Sequence, residues 1–132
     1  MARKEISDEN AVLIAKSLAT NTGLEHVELP GNNLESNSTE ALGRMLLKNR
    51  TLKVLNLEMN NITNGGKDYK GIRALAEAIK RNRVLISLNL NSTDLDSECS
   101  ALLADAMQYN STLISLDIEG NPEMDLNHVR NI

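Results

Sequence analysis

The chain has 132 residues, a formal net charge of −4, no Phe or Trp, two Tyr and a single Cys. That length predicts one domain over residues 1–132, with a core that has to be aliphatic. The acidic balance argues against nucleic-acid and anionic-membrane surfaces, which reward net Lys and Arg, and Cys99 on its own forms no internal disulfide, which points to a reducing, cytoplasmic setting.

The first predicted element is a helix over residues 8–21, where Ile14 and Leu18 share one face. Its apolar run, Ala11–Ala15, is short and follows Asp8 and Glu9, so this segment does not read as a signal peptide. No stretch approaches the ~20 apolar residues of a membrane span. Next comes "LEHVELPGNNL" from Leu24, whose alternating apolar residues describe a short strand buried on one side. "SNSTE" supplies capping residues for a second helix bearing Leu42 and Leu46, and "LKVLNLEMNNI" from Leu52 is a second strand. An insertion over residues 63–74 precedes the Leu75 and Ile79 helix face, and "LISLNLNSTDL" from Leu85 is the third strand. "DLDSE" opens a fourth helix carrying Leu103 and Met107, "LISLDIEGNPE" from Leu113 is the fourth strand, and a partial helix is expected over 124–132. Three residues before each strand's first Leu stands an Asn, at 21, 49, 82 and 110. Asn tolerates left-handed backbone, so these are predicted helix stops.

The four strand segments begin 28, 33 and 28 residues apart and fit L-x-x-L-x-L-x-x-N-x-L. A fixed period in this range is the signature of a leucine-rich-repeat solenoid, in which each unit covers the apolar edge of its neighbour. With Asn at the ninth position (Asn32, Asn60, Asn121), the pattern resembles the ribonuclease-inhibitor type of repeat from about Ile14 to Asn121. Within it, "LAEAIKRNRVLISLNL" (Leu75–Leu90) is similar to the repeats of tropomodulins and leiomodins, which bind actin, and to those of Ran GTPase-activating proteins and innate-immune receptors. The resemblance implies an α/β, right-handed solenoid of about four strand–helix repeats, with a parallel sheet on the concave face and helices on the convex face. Thr93 in place of the ninth-position Asn puts the side-chain ladder in doubt there, and the second interval carries five extra residues. The helix over 8–21 is expected to cap the first repeat. The chain reads either as a piece of a longer array or as a small domain with a minimal C-terminal cap.

Candidate chemistry is sparse. "TNGGKDYKGIR" (Thr63–Arg73) concentrates glycines, basic residues and an aromatic, so Lys67, Tyr69 and Lys70 are candidate binding residues; a tolerated surface insertion is the simpler reading. "GGK" lacks phosphate-loop spacing. "DLDSE" lacks the sixth-position Gly of a calcium loop, and its carboxylates suit a helix start. His26 and His128 lie at opposite ends of the repeat series, and Cys99 reads as a small buried residue. No cofactor, metal site, catalytic constellation, nucleic acid, membrane or small-molecule substrate is expected. Five N-x-[ST] sequons, at Asn37, Asn49, Asn61, Asn91 and Asn110, are explained by an Asn- and Thr-rich repeat.

What remains is a protein-binding surface. Outward positions of the strands hold Glu28, Asn56, Glu58, Asn89, Asn91, Asp117 and Glu119, the candidate concave-face residues, and neither Lys nor Arg occurs among the twelve such positions. The one-signed charge suits a basic or donor-rich segment of a partner. The expected function is a non-catalytic protein–protein interaction module of cytoskeletal, actin-associated type. The alternatives are a regulator of a small GTPase, with Arg44, Arg50 and Arg73 as candidates to reach a nucleotide, or a ligand-sensing fragment of an innate-immune receptor.

Overall fold

The computed structural model describes residues 6–123. Strands β1 (His26–Glu28), β2 (Val54–Asn56), β3 (Ser87–Asn89) and β4 (Ser115–Asp117) form one parallel sheet in chain order. Helix α1 (Asp8–Ala19) precedes β1, and α2 (Ser36–Lys48), α3 (Lys70–Arg81) and α4 (Ser97–Met107) make the crossovers. The register sets Val27, Leu55, Leu88 and Leu116 side by side at the strand centres, as the repeat alignment predicts. The expected helix over 124–132, with His128, lies outside the described residues.

The core follows the repeat. Leu29, Leu57 and Leu90 line up behind the strands, Leu34, Ile62 and Leu95 turn the chain toward the helices, and Leu42, Leu46, Leu75, Ile79 and Leu103 face back; all are buried. Each such side chain contributes about 1.5–3 kcal/mol of burial, and most of its cover comes from the adjacent repeat. Leu24 departs from the expectation. It is 46% exposed, whereas its counterparts Leu52 and Leu85 are buried, because among the described residues no strand precedes β1 to cover it.

Asn49 and Asn82 end α2 and α3 as expected, but not through the left-handed backbone that the sequence suggested. Asn49 (φ −69°, ψ 135°) and Asn82 (φ −72°, ψ 133°) are extended, and their side chains do the work instead. Asn49 Oδ1 accepts from the backbone N–H of Thr51 (2.8 Å) and Leu52 (2.7 Å), while Nδ2 donates to the carbonyls of Leu18 (2.7 Å) and Asn21 (3.1 Å) in the repeat before. Asn82 and Asn110 repeat this bonding, so the amides knit consecutive repeats where the chain passes from helix to strand. Left-handed backbone occurs elsewhere, at the eighth position of every repeat: Gly31, Met59, Ser92 and Gly120 all have positive φ.

The ninth-position asparagines form a second ladder. Asn60 Nδ2 donates to the carbonyls of Leu29 (2.8 Å) and Leu57 (2.9 Å), and Asn121 does the same to Leu90 (3.0 Å) and Ile118 (2.9 Å). At the third repeat the shorter Thr93 donates its hydroxyl to Leu90 of its own repeat (2.7 Å), and Asp94 takes over the link to the repeat before, accepting from the backbone N–H of Thr63 (3.3 Å) and Gly65 (2.7 Å).

Capping is also passed between repeats. Ser7 caps α1 and Asp96 caps α4 locally. At α2, however, the N-cap Glu35 makes no side-chain bond, and "SNSTE" is served from outside. Asp8 accepts from the N–H groups of Glu35 (2.8 Å) and Ser38 (2.9 Å), and Asn64 accepts from Ser36 (3.2 Å).

The connection from β2 to α3 is the longest between elements, and it is partly exposed, with Gly65 and Lys67 open to solvent. Asp68 accepts from the Ser36 hydroxyl (2.7 Å) in the previous repeat, and the Tyr69 hydroxyl donates to Asp96 in the next one. Gly71, expected in the insertion, lies inside α3; a Cβ there would stand 2.7 Å from Thr39 Cβ. The segment is thus stitched to both neighbouring repeats.

Candidate protein-binding face

In each three-residue strand the middle side chain enters the core and the flanking ones face outward, because successive side chains alternate. The register then stacks the outward residues in rows. His26, Val54, Ser87 and Ser115 form one row, and Glu28, Asn56, Asn89 and Asp117 the next. Beyond the strand ends, Glu58, Asn91 and Glu119 continue at the same repeat position as Pro30.

The sequence candidates on this face are bonded to one another. Asn89 Nδ2 donates to Glu58 Oε1 at 3.2 Å, joining the second and third repeats at the middle of the face. Asn56 Oδ1 accepts from Glu58 N (2.9 Å), Asn89 Oδ1 from Asn91 N (2.8 Å) and Asn91 Oδ1 from Glu119 N (2.7 Å). The asparagine oxygens are thus consumed by the backbone. What the face offers a partner is amide N–H together with the carboxylates of Glu28, Glu58, Asp117 and Glu119. Glu28 has the His26 ring 3.3 Å away, with both side chains more than half exposed. A cation placed about 4 Å from one of the others gains roughly 1 kcal/mol in bulk water, and more where water is excluded.

The basic loop candidates are separate from this face. Lys67 is exposed, Lys70 lies 3.8 Å from Asp68, and the Tyr69 ring carries Arg73 at 5.9 Å. The bond to Asp96, then burial, pushes the Tyr69 hydroxyl up to about 12, so it stays protonated and acts as a donor within the chain. None of the three shares a hydrogen bond with the strand residues above, among the described residues. The GTPase candidates are engaged too: Arg50 Nη1 donates to the Leu47 carbonyl (3.1 Å), Arg73 to Glu98 (3.3 Å), and Arg44 lies 3.8 Å from Glu40.

Other candidates resolve into structural roles. Cys99 is buried, and burial pushes its thiol up to about 12, so it is no nucleophile at neutral pH. Asp94 and Asp96 cap backbone N–H groups, and no group of His, Cys, Asp or Glu able to hold a metal ion occurs among the described residues. No helix there is long and apolar enough to cross a membrane. Two exposed residues escaped the sequence reading. Ile86 (36%) and Ile114 (83%) continue the row that begins with the Glu25–Lys53 pair, 3.7 Å apart. The recurring "LIS" at the start of the last two strands is the signal that could have revealed them.

Comparison with known proteins agrees with the fold. A family model described as Leucine Rich repeat matches residues 48–66. Leucine-rich repeat-containing protein 45 of Gallus gallus is 28% identical over 91 residues, which covers 69% of this chain and 13% of that protein's length. Among solved structures, leiomodin-1 actin-binding site 2 superposes with a TM-score of 0.85 at 24% identity, covering 98% of this chain and 72% of that one. The tropomodulin C-terminal domain of Caenorhabditis elegans superposes with a TM-score of 0.81 at 12% identity, covering 99% and 76%. At these identities the superpositions establish a shared leucine-rich-repeat fold.

Proposed function

We propose that this leucine-rich-repeat chain is a non-catalytic protein-interaction module that receives a basic, donor-rich segment of a partner on the outward face of its sheet. The observation that carries the reading is the one-signed charge of that face: carboxylates at Glu28, Glu58, Asp117 and Glu119, and neither Lys nor Arg among the twelve strand positions. Solvation of an exposed sheet needs charge but not one sign, whereas complementarity to a cationic partner needs one sign.

The finer proposal is an actin-associated, cytoskeletal role. Its support is the likeness in fold to leiomodin-1 actin-binding site 2. A GTPase-regulating role has less support, since it calls for an arginine free to reach a nucleotide, and Arg50 and Arg73 are held by their own chain.

Co-sedimentation with filamentous actin, and anisotropy with labelled monomeric actin, test the finer reading with the wild type and Glu58→Lys/Asp117→Lys. Binding that weakens with salt and is slowed by the double reversal supports it. Actin binding indifferent to both reversals removes the face from the interaction, and absence of actin binding removes actin. In that second case, affinity capture compared between wild type and the double variant identifies the partner that depends on this face.

A further inference from the structure

The molecule carries a second surface of opposite charge on its helical side. Between α1 and α2 runs a groove of about 570 Å³, with Val12, Ala15, Ala41 and Met45 on its floor and Lys16, Arg44 and Lys48 along its rim. We propose that this groove docks a short, acidic, amphipathic helix of another protein, independently of the sheet face.

Three observations point there. First, the helices cannot close over the groove. Between α2 and α3, Gly43 lets Ala74 approach so closely that a Cβ at Gly43 would meet the Ala74 backbone at 2.7 Å. One repeat earlier the corresponding residues are Ala15 and Ala41. The Ala15 methyl forbids that approach, and both residues line the groove.

Second, two of the three cations are uncompensated. Lys53, Lys70 and Lys80 each have a carboxylate within 4 Å, whereas Lys16 and Lys48 make no ion pair among the described residues. Arg44 pairs with Glu40, 3.8 Å away and the one carboxylate lining the groove, so the excess positive charge of the lining rests on the two lysines. This excess of positive charge sits in a chain whose net charge is −4. Lys16 and Lys48 lie in the last turns of their helices, where they complement the helix dipole. That role does not account for an apolar floor between them.

Third, the size suits a helix. From Asn37 to Lys48 the lining spans about three turns of α2, roughly 16 Å at the helical rise. An apolar stripe on a helix of that length covers the partly exposed Val12, Ala19 and Ala41, and Glu or Asp on its flanks reaches the cations.

Fluorescence anisotropy on the full chain tests the proposal with a labelled peptide about three turns long, carrying Leu at helical spacing and Glu elsewhere. Saturable binding should weaken about tenfold or more in Lys16→Glu/Lys48→Glu and should persist in Glu58→Lys/Asp117→Lys. Lys16→Gln/Lys48→Gln, which removes the charge without reversing it at the helix ends, should give an intermediate loss, with circular dichroism confirming that each variant is folded. Ala19→Trp, which places a ring in the groove, should also reduce binding, and polyglutamate without Leu should bind more weakly than the peptide. No saturable binding up to about 1 mM, unchanged binding in both lysine pairs, or loss confined to the sheet-face variant overturns the proposal. A failure here leaves the sheet-face reading intact, since the two surfaces share no residue.

Discussion

The side-chain oxygen of Asn60 accepts the backbone N–H of Asn32, 28 residues earlier, at 3.1 Å. Through this contact one side chain replaces a strand partner at the point where the sheet ends and the chain turns toward its helix. The same oxygen accepts from Leu34 N at 3.2 Å, and the amide donates to the carbonyls of Leu29 and Leu57, all on buried residues. Asn60→Ala strands these partners, and each orphaned buried group costs about 1–3 kcal/mol. Urea unfolding should register a loss of about 3 kcal/mol or more. Thr93→Asn, by supplying the missing amide at the third repeat, should raise the midpoint.

Gly43 sets the distance between α2 and α3. A methyl there meets backbone, which has no rotamer to escape into. Gly43→Ala should therefore destabilise by about 1–3 kcal/mol, against the usual gain from Gly to Ala in a helix. Thermal melts of Gly43→Ala and Ala15→Gly should move in ways that helix propensity alone does not describe.

Asp8 should make the protein acid-sensitive. Burial works to raise its carboxyl, but bonds from the Ser38 side chain and backbone, from Glu35 and from Asn37 outweigh it and hold the folded value below the ordinary one. The unfolded state then binds the proton more tightly. The stabilisation is present above the unfolded value near pH 4 and is lost as pH falls through the lower folded value. Asp96 is shifted the same way, burial opposing the Tyr69 hydroxyl and the backbone bonds that win. Asp8→Asn should flatten the fall in stability below about pH 4, measured by denaturant titration across pH.

Tyr69 ties the long β2–α3 connection to the next repeat. Tyr69→Phe keeps the ring against Arg73 and removes the donor to Asp96. Because the pair is partly exposed, its loss should lower the urea midpoint only modestly. Deleting five residues of the connection should cost more than Tyr69→Phe, because it also removes contacts to Ser36 and Asp94. A deletion variant as stable as wild type would mean that these ties are spectators.

Much of this protein was legible in its residues because the relevant patterns are local. Alternation around Val27, Leu55, Leu88 and Leu116 marks strands, spacing of four at Leu42 and Leu46 or Leu75 and Ile79 marks helix faces, and the 28-residue period joins them into repeats. The outward carboxylates follow from the same alternation. Tertiary structure alone decided the rest, since it depends on distances between residues a repeat or more apart. Asn49 reads as a helix stop and does end α2, but that its amide also bridges to Leu18, and that Asp8 accepts from the start of α2, depends on the neighbouring repeat. The insertion reads as loose until Tyr69 finds Asp96, and Lys16 and Lys48 read as two surface lysines until Ala15 and Ala41 leave a groove between them. Periodicity tells which side of an element is buried. How closely two elements approach, and which polar atoms meet between them, is set by the volumes of the side chains packed there.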